Sequence, residues 1–448
     1  MSAIAGIASP GKTELVNRML DKISHRGTND RLVVSRGSAT LGATNSAYQK
    51  NAIERLKKDG VACDDAGGSH FASARSVRDD LLLARDELGV MPLYYGHTPE
   101  GDLCFAAEVK ALLEATDDIN ELPPGHRLRG EQEEPYFELE RQPPLRKPAE
   151  EIATDLRGKL EDSVRERIRG GQECGSLLSG GLDSSAIAAL ARPHVRRLST
   201  FAAGTPGAPD LAHAREVATY IGTDHYEAVV ELDDLLAALP EAIYHLESFD
   251  ALLVRSSLTH YLVARLASDY VPAVFSGEGG DELFAGYSYL KGLAPERLPD
   301  ELLDITARLH NTALQRVDRC TSAHGIIALV AFLDPAVVDL AMRIPADYKL
   351  RGRVEKWILR RALDDLLPEA VVSRPKAKFW EGAGVGEMLS QFADEQIDGR
   401  SFARERRRPN GITLNSKEEL LYYRIFREHF GELEDLSWVG RTKGSPVE

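Results

Sequence analysis

Cys174-Gly175-Ser176-Leu177-Leu178-Ser179-Gly180-Gly181-Leu182-Asp183-Ser184-Ser185 is the stretch on which the fold turns. A short apolar run, 175–178, ends in a Ser-Gly-Gly turn that leads into the helical string AIAALA at 186–191. Strand, tight turn and helix form the unit of an open parallel sheet, where ligands bind at the carboxyl ends of the strands. Backbone N–H groups and the helix dipole there favour an anion, and two glycines let the main chain approach phosphate oxygens. The Ser184 and Ser185 hydroxyls add donors. Asp183 would repel a bare phosphate, so its presence calls for a cation, most economically magnesium between Asp183 and pyrophosphate oxygens. The string is not the GxxxxGK[ST] loop that handles a terminal phosphate.

The same rhythm continues outward. RLSTFAAG (197–204), HYEAVVEL (225–232) and VPAVFSGEGG (271–280) are short apolar runs separated by helical stretches. This alternation predicts a parallel α/β sheet with helices on both faces. Residues 151–169 predict an amphipathic helix, with Ile152, Leu156, Leu160 and Val164 at steps of four. Beyond residue 290 the pattern is mostly helical, and DLSWVGRTKGSPVE (435–448) reads as a loose tail. Towards the N-terminus, AIAGI (3–7), ATLGAT (39–44), DLLLARD (80–86) and DLCFAAE (102–108) predict a small β-rich layer with few helices. The charged, proline-bearing stretch at 129–151 reads as a linker, dividing the chain into 1–140 and 141–448.

The chain has 448 residues, 55 basic and 70 acidic, for a net charge of −15. That length suits two or three domains. An acidic chain lacks the basic face that displaces counterions from nucleic acid, so no nucleic-acid partner is expected. Its four cysteines, Cys63, Cys104, Cys174 and Cys320, form no CxxC and no disulfide framework. A reduced, cytoplasmic protein is expected. MSAIAGIASPGK has no basic region followed by a long apolar run, so no signal peptide and no membrane partner are expected either.

A second loop, Ser276-Gly277-Glu278-Gly279-Gly280-Asp281-Glu282-Leu283-Phe284-Ala285-Gly286-Tyr287, also follows an apolar run. With the first loop, and with STFAAGTPGAPDLAHAREVA (199–218), IYHLESFD (243–250), RPKAKFWEGAG (374–384) and NSKEELLYYRIF (415–426), it resembles the glutamine-dependent asparagine synthetases. The first loop is similar to that of the ATP pyrophosphatases, which yield AMP and pyrophosphate. The resemblance implies an ATP-pyrophosphatase-type parallel α/β domain with a helical C-terminal part, using ATP and Mg2+. It implies adenylation of a small aspartate-like carboxylate, which then passes to ammonia or an amine. By the same resemblance, Leu177, Leu178, Ser179, Gly180, Gly181, Asp183, Ser184, Ser185, Ala203, Ser276 and Gly277 bind ATP. Asp183 and Asp281 hold the metal. Lys376 meets the α-phosphate, and Glu278 deprotonates the attacking nitrogen. Arg255, Asp281, Tyr287, Leu252 and Leu253 border the substrate.

HRGTND (25–30), ARDELGVMPLYYG (84–96), FAAEVKALL (105–113) and LPPGHRL (122–128) are similar to the family's glutaminase domain, an Ntn-hydrolase-like αββα fold. This chain carries Ser2 where the family has its nucleophilic cysteine, and no glutamine-binding Asn-Gly-Glu-Ile-Tyr-Asn segment occurs between Leu41 and Asp80. Serine is a far weaker nucleophile than thiolate. The N-terminal domain is therefore expected to be structural, covering a hydrophobic face of its neighbour. In the ligase part, the family's Thr-Thr-Ile-Arg is Leu252-Leu253-Val254-Arg255, and its Glu-x-Arg-Val-Pro-Phe-Leu-Asp is Ile327-Ala328-Leu329-Val330-Ala331-Phe332-Leu333-Asp334. Either these are repackings or the acceptor pocket has changed. Two neighbouring chemistries stay open, dehydration of an asparagine-like amide to a nitrile and β-lactam-synthetase-like cyclisation. Four intact candidate catalytic residues argue against a non-enzymatic scaffold. A tRNA-modifying pyrophosphatase is disfavoured by the acidic balance. A homodimer is possible.

Overall fold

The computed structural model describes all residues except 1, 28–29, 68, 79, 169–172, 375–382, 409–410 and 444–448. The N-terminal part is two antiparallel sheets packed together. One is six-stranded, in the order Asp30–Arg36, Ala39–Asn45, Ile4–Ile7, Leu103–Ala106, Tyr94–His97, Asn120–Glu121. The other is five-stranded, in the order Gln132–Pro135, His126–Arg129, Asp80–Arg85, His70–Val77, Val61–Gly67. In Asp80–Arg85 burial alternates along the strand, one face inward and the other outward. The helix Thr13–Lys22 packs on the first sheet through Val16, Met19 and Leu20. The stretch expected to be a linker is partly sheet: His126–Arg129 pairs with Gln132–Pro135 as a hairpin, and only the residues beyond it, up to Pro148, are irregular.

The C-terminal part holds the expected parallel sheet, with one strand more. Its strands are β1 (Gly175–Leu177), β2 (Ser199–Gly204), β3 (Asp224–Val229), β4 (Ala273–Phe275) and β5 (Ile327–Leu329), in the order β3-β2-β1-β4-β5. All neighbouring pairs are parallel. The amphipathic helix appears as α1 (Ala149–Arg167), with Ile152, Leu156, Leu160 and Val164 all buried. The first loop feeds α2 (Leu182–Ala191); α3 (Ala251–Ser268) packs on β2 and β3, α4 (Ala313–Ser322) packs on β5, and the two helices pack on each other.

β5 explains one of the altered strings. Ile327 and Leu329, where the family has glutamate and arginine, are fully buried in an edge strand that meets Val61–Gly67 of the second N-terminal sheet. Losing both members of an ion pair to apolar residues is close to neutral in such a place. One apolar core runs through both parts, as expected of a covering domain. A buried ionic network also crosses the junction. Arg26 donates to Asp318 at 2.9 and 3.0 Å, and also to Glu108 and Asp64. Lys110 Nζ lies 2.9 Å from Glu247, and Arg319 reaches both Glu108 and Glu247. The described part of the C-terminal tail, 435–443, is not loose. Leu436, Trp438 and Val439 are buried, Arg441 pairs with Glu419, and the Thr442 N–H donates to Asp250 Oδ2.

Candidate active site

The carboxyl ends of β1, β2 and β4 open into a cavity of about 720 Å³. Its floor is the first loop. The Ser179 N–H and Oγ contact Ser184 Oγ at 3.1 Å each, and the Gly181 N–H donates to Ser179 Oγ at 3.3 Å. Gly180 has φ +68°, and a Cβ there would lie 2.6 Å from the His213 carbonyl carbon, so glycine is required. Leu177, Phe201, Ala202 and Ala203 give one end of the cavity an apolar wall suited to a purine.

The second loop leans directly on the first. A Cβ on Gly280 would lie 2.6 Å from Asp183 Cγ. Asp183 and Asp281 converge on one buried cation that the motifs did not reveal. Lys356 Nζ contacts Asp183 Oδ2 and lies 2.5 Å from Asp281 Oδ1. Lys356 sits at φ +55° between the hairpin Leu350–Glu355 and the helix Trp357–Ala362, and it is 1 % exposed. Nothing in its local sequence marks it, because its meaning comes from two distant carboxylates. Two such oxygen donors beside a phosphate loop fit a hard divalent cation such as magnesium.

At the cavity's other end, Glu278 accepts from Arg316 Nη2 at 2.6 Å. Arg316 Nη1 donates to Ser256 Oγ at 3.1 Å, and Ser256 Oγ donates to the Leu253 carbonyl at 2.9 Å. His260, one turn further along α3, is pushed down to about 3 by burial and then by Arg316, so its imidazole is neutral. Glu282 accepts from the Tyr287 hydroxyl, and burial with Asp281 beside it lifts its carboxyl to about 7.

Of the sequence-predicted residues, Leu177, Leu178, Ser179, Gly181, Asp183, Ser184, Ala203, Leu252, Leu253, Ser276, Gly277, Glu278, Asp281 and Tyr287 line this one cavity. Gly180 and Ser185 lie beneath it, shaping the loop rather than facing the space. Arg255 is corrected: its guanidinium turns away to a bidentate pair with Glu418, which Tyr422 also holds at 2.7 Å, so it fastens the helix Lys417–Phe430. Lys376 lies outside the described residues. Arg374, two residues before it, donates to the Gly180 carbonyl at 3.2 Å and to Asp210 at 2.7 Å. Sequence reading missed Arg316, Ser256, Thr442 and Lys443, which also line the cavity.

The N-terminal candidate is closed. Ser2 is fully buried, its N–H donates to Asp64 Oδ1 at 3.0 Å, and its hydroxyl donates to Gln49 Oε1. Burial lifts the Asp64 carboxyl to about 6 against the pull of Arg26.

Residues 155–302 and 294–445 match the asparagine synthase family. The chain belongs to that family. Residues 53–133 match a glutamine amidotransferase domain. The chain is 36 % identical over 391 residues to asparagine synthetase B (glutamine-hydrolyzing) of Escherichia coli K12, covering 82 % of this chain and 71 % of that one. It is 35 % identical over 384 residues to asparagine synthetase (glutamine-hydrolyzing) 2 of Lotus japonicus, covering 79 % of this chain but only 65 % of that one. Among solved structures, the NMN synthetase of Francisella tularensis aligns with 65 % of this chain and 98 % of its own, at 13 % identity and TM-score 0.30. The asparagine synthase family comprises ATP-dependent carbon–nitrogen ligases that use magnesium, and that class is this chain's. No described helix is long and apolar enough to cross a membrane.

Proposed function

We propose that this ligase activates a small carboxylic acid with ATP and passes the acyl group to ammonia or a small amine, without drawing nitrogen from glutamine. In the first half-reaction a carboxylate oxygen bonds to the α-phosphorus, the bond to the β-phosphate bridging oxygen breaks, and pyrophosphate leaves. In the second, nitrogen attacks the acyl carbon, AMP departs and one proton is lost.

The observation that carries this reading is the meeting of Asp183 and Asp281 at Lys356, both aspartates lining a cavity that also holds Glu278. Magnesium held by the two aspartates would offset charge on the departing pyrophosphate. The N–H groups of the first loop would receive phosphate oxygens, and the Leu177 and Ala203 wall would take the purine. Lys376 is assigned to the α-phosphate by its motif. Glu278, held by Arg316, would take the proton from the nitrogen after bonding to the acyl carbon has made that nitrogen acidic. For the absence of glutaminase, the support is that Ser2 is fully buried and engaged with Gln49.

Pyrophosphate release with ATP, magnesium and a panel of acids tests the reading. Release is expected to need an acid, and amide product to need ammonium or an amine. Equal product from glutamine in place of ammonium would overturn the second half, and release independent of any acid would overturn the first.

A further inference from the structure

We propose that the acid activated here carries an apolar body, an aliphatic or aryl monocarboxylate, instead of the charged amino-acid head of an aspartate-like substrate. The inference rests on the ligase reading for its chemistry and on the acceptor half of the cavity for the substrate class.

Leu252 and Leu253 stand in the first turn of α3 and face the cavity. A chain of hydrogen bonds runs from the Leu253 carbonyl through Ser256 Oγ and Arg316 to Glu278. The leucines therefore share a cavity, and a hydrogen-bonded chain through Ser256 and Arg316, with the carboxylate that meets the incoming nitrogen. Ile305, Leu309 and Ala313 continue the wall up to Arg316, and the Tyr287 ring, 6.2 Å from Tyr289 and stacked on it, supplies an aromatic surface.

A charged head group bound here would need partners, because burying an ammonium or carboxylate without them is unfavourable by several kcal/mol. Among the described residues, the cations on this wall already hold carboxylates. Arg316 is on Glu278, Arg308 is 3.0 Å from Asp304, and Lys443 is 2.5 Å from Glu301 and 3.1 Å from Asp304. The start of α3 is likewise taken. Asp250 Oδ1 accepts from the Leu253 N–H at 2.9 Å, and Oδ2 accepts from the Thr442 N–H at 3.2 Å. An apolar acyl group meets no such demand, gains from burial against the leucines, and fits beside a nucleotide in about 720 Å³.

The test uses the full chain with hexanoate, 3-phenylpropanoate and L-aspartate. In ATP–pyrophosphate exchange, kcat/KM for hexanoate or 3-phenylpropanoate is expected to exceed that for L-aspartate by about tenfold or more. The double variant Leu252→Thr, Leu253→Thr should move this ratio towards aspartate by about tenfold with ATP binding unchanged. A wild-type preference for aspartate overturns the proposal, as does a ratio that the double variant leaves where it was. Should the double variant fail to bind ATP, the wild-type ratio decides. Calorimetry in the presence of ATP separates the two layers of the argument. Binding of hexanoate but not aspartate, with no exchange from any acid, would sink the ligase chemistry and keep the substrate class. Failure of both apolar acids to bind would sink the substrate class alone.

Discussion

Ser2 and the first phosphate loop are built from the same materials. Each combines a serine, an aspartate and a buried cation, namely Ser2, Asp64 and Arg26 in one region and Ser184, Asp183 and Lys356 in the other. At Ser2 every group is turned inward. Ser2, Asp64 and Arg26 are all fully buried, and the guanidinium of Arg26 ties three carboxylates together across the junction with the ligase part. At the loop Ser184 and Asp183 line a cavity of about 720 Å³, while Lys356 is buried against Asp183. The difference shows that residue type alone does not make a site. Access to a ligand-sized space decides whether a charge cluster does chemistry or holds two layers together.

The comparison can be broken most sharply at the loop. Asp183→Ala should cut pyrophosphate release by at least about a hundredfold while the circular dichroism stays native. Near-full turnover would show that the meeting point of the two aspartates is not the phosphate site. Glu278→Gln should separate the half-reactions, keeping ATP–pyrophosphate exchange while amide formation falls by about a hundredfold. If exchange falls equally, Glu278 acts before the nitrogen arrives.

At the junction the expected loss is in stability. Arg26→Met leaves three buried carboxylates short of a partner and should lower the free energy of unfolding by about 3–5 kcal/mol in urea titrations. A loss under about 1 kcal/mol would mean that the network is decorative. The pH response of the same junction is smaller. The His70 ring contacts the Leu333 carbonyl at 2.9 Å, and burial followed by Arg167 pushes its imidazole down to about 3. It stays neutral in the fold while the unfolded chain takes up a proton below pH 6.5. Its contribution is therefore complete above pH 6.5 and declines as pH falls from there towards 3, by about 2 kcal/mol at pH 5. His70→Gln should flatten the urea-midpoint profile between pH 7 and 5, and an unchanged slope would assign the acid response elsewhere. Ser2→Ala should leave amide formation from ammonium unaltered, and any loss of glutamine-dependent product would reopen the N-terminal site.

Much of the ligase half was legible because its signals are local. The run up to Leu178, the Ser-Gly-Gly turn and the alanine-rich helix announce strand, loop and helix within a dozen residues. β5 was missed because Ile327–Leu329 is only three residues long, and an apolar string gives no period by which to tell strand from buried helix. The tail looked loose because Ser, Gly and charged residues surround Trp438, yet that ring packs 6.3 Å from both Tyr94 and Phe426. Arg255 misled for a related reason. It keeps its place in a motif, but Glu418, distant in sequence, claims its guanidinium.

By itself the sequence determined the Ser-Gly-Gly turn between strand and helix, the alternating strands and helices, the family, and a serine at residue 2. These depend on backbone preferences and side-chain patterns among near neighbours. Only the tertiary structure decided that Lys356 sits between Asp183 and Asp281, that Arg316 holds Glu278, that Leu252 and Leu253 line the same cavity as that pair, and that Ser2 is buried. The physical reason is that charge pairing and access to solvent are set by which distant segments pack together, and short-range sequence does not carry that information.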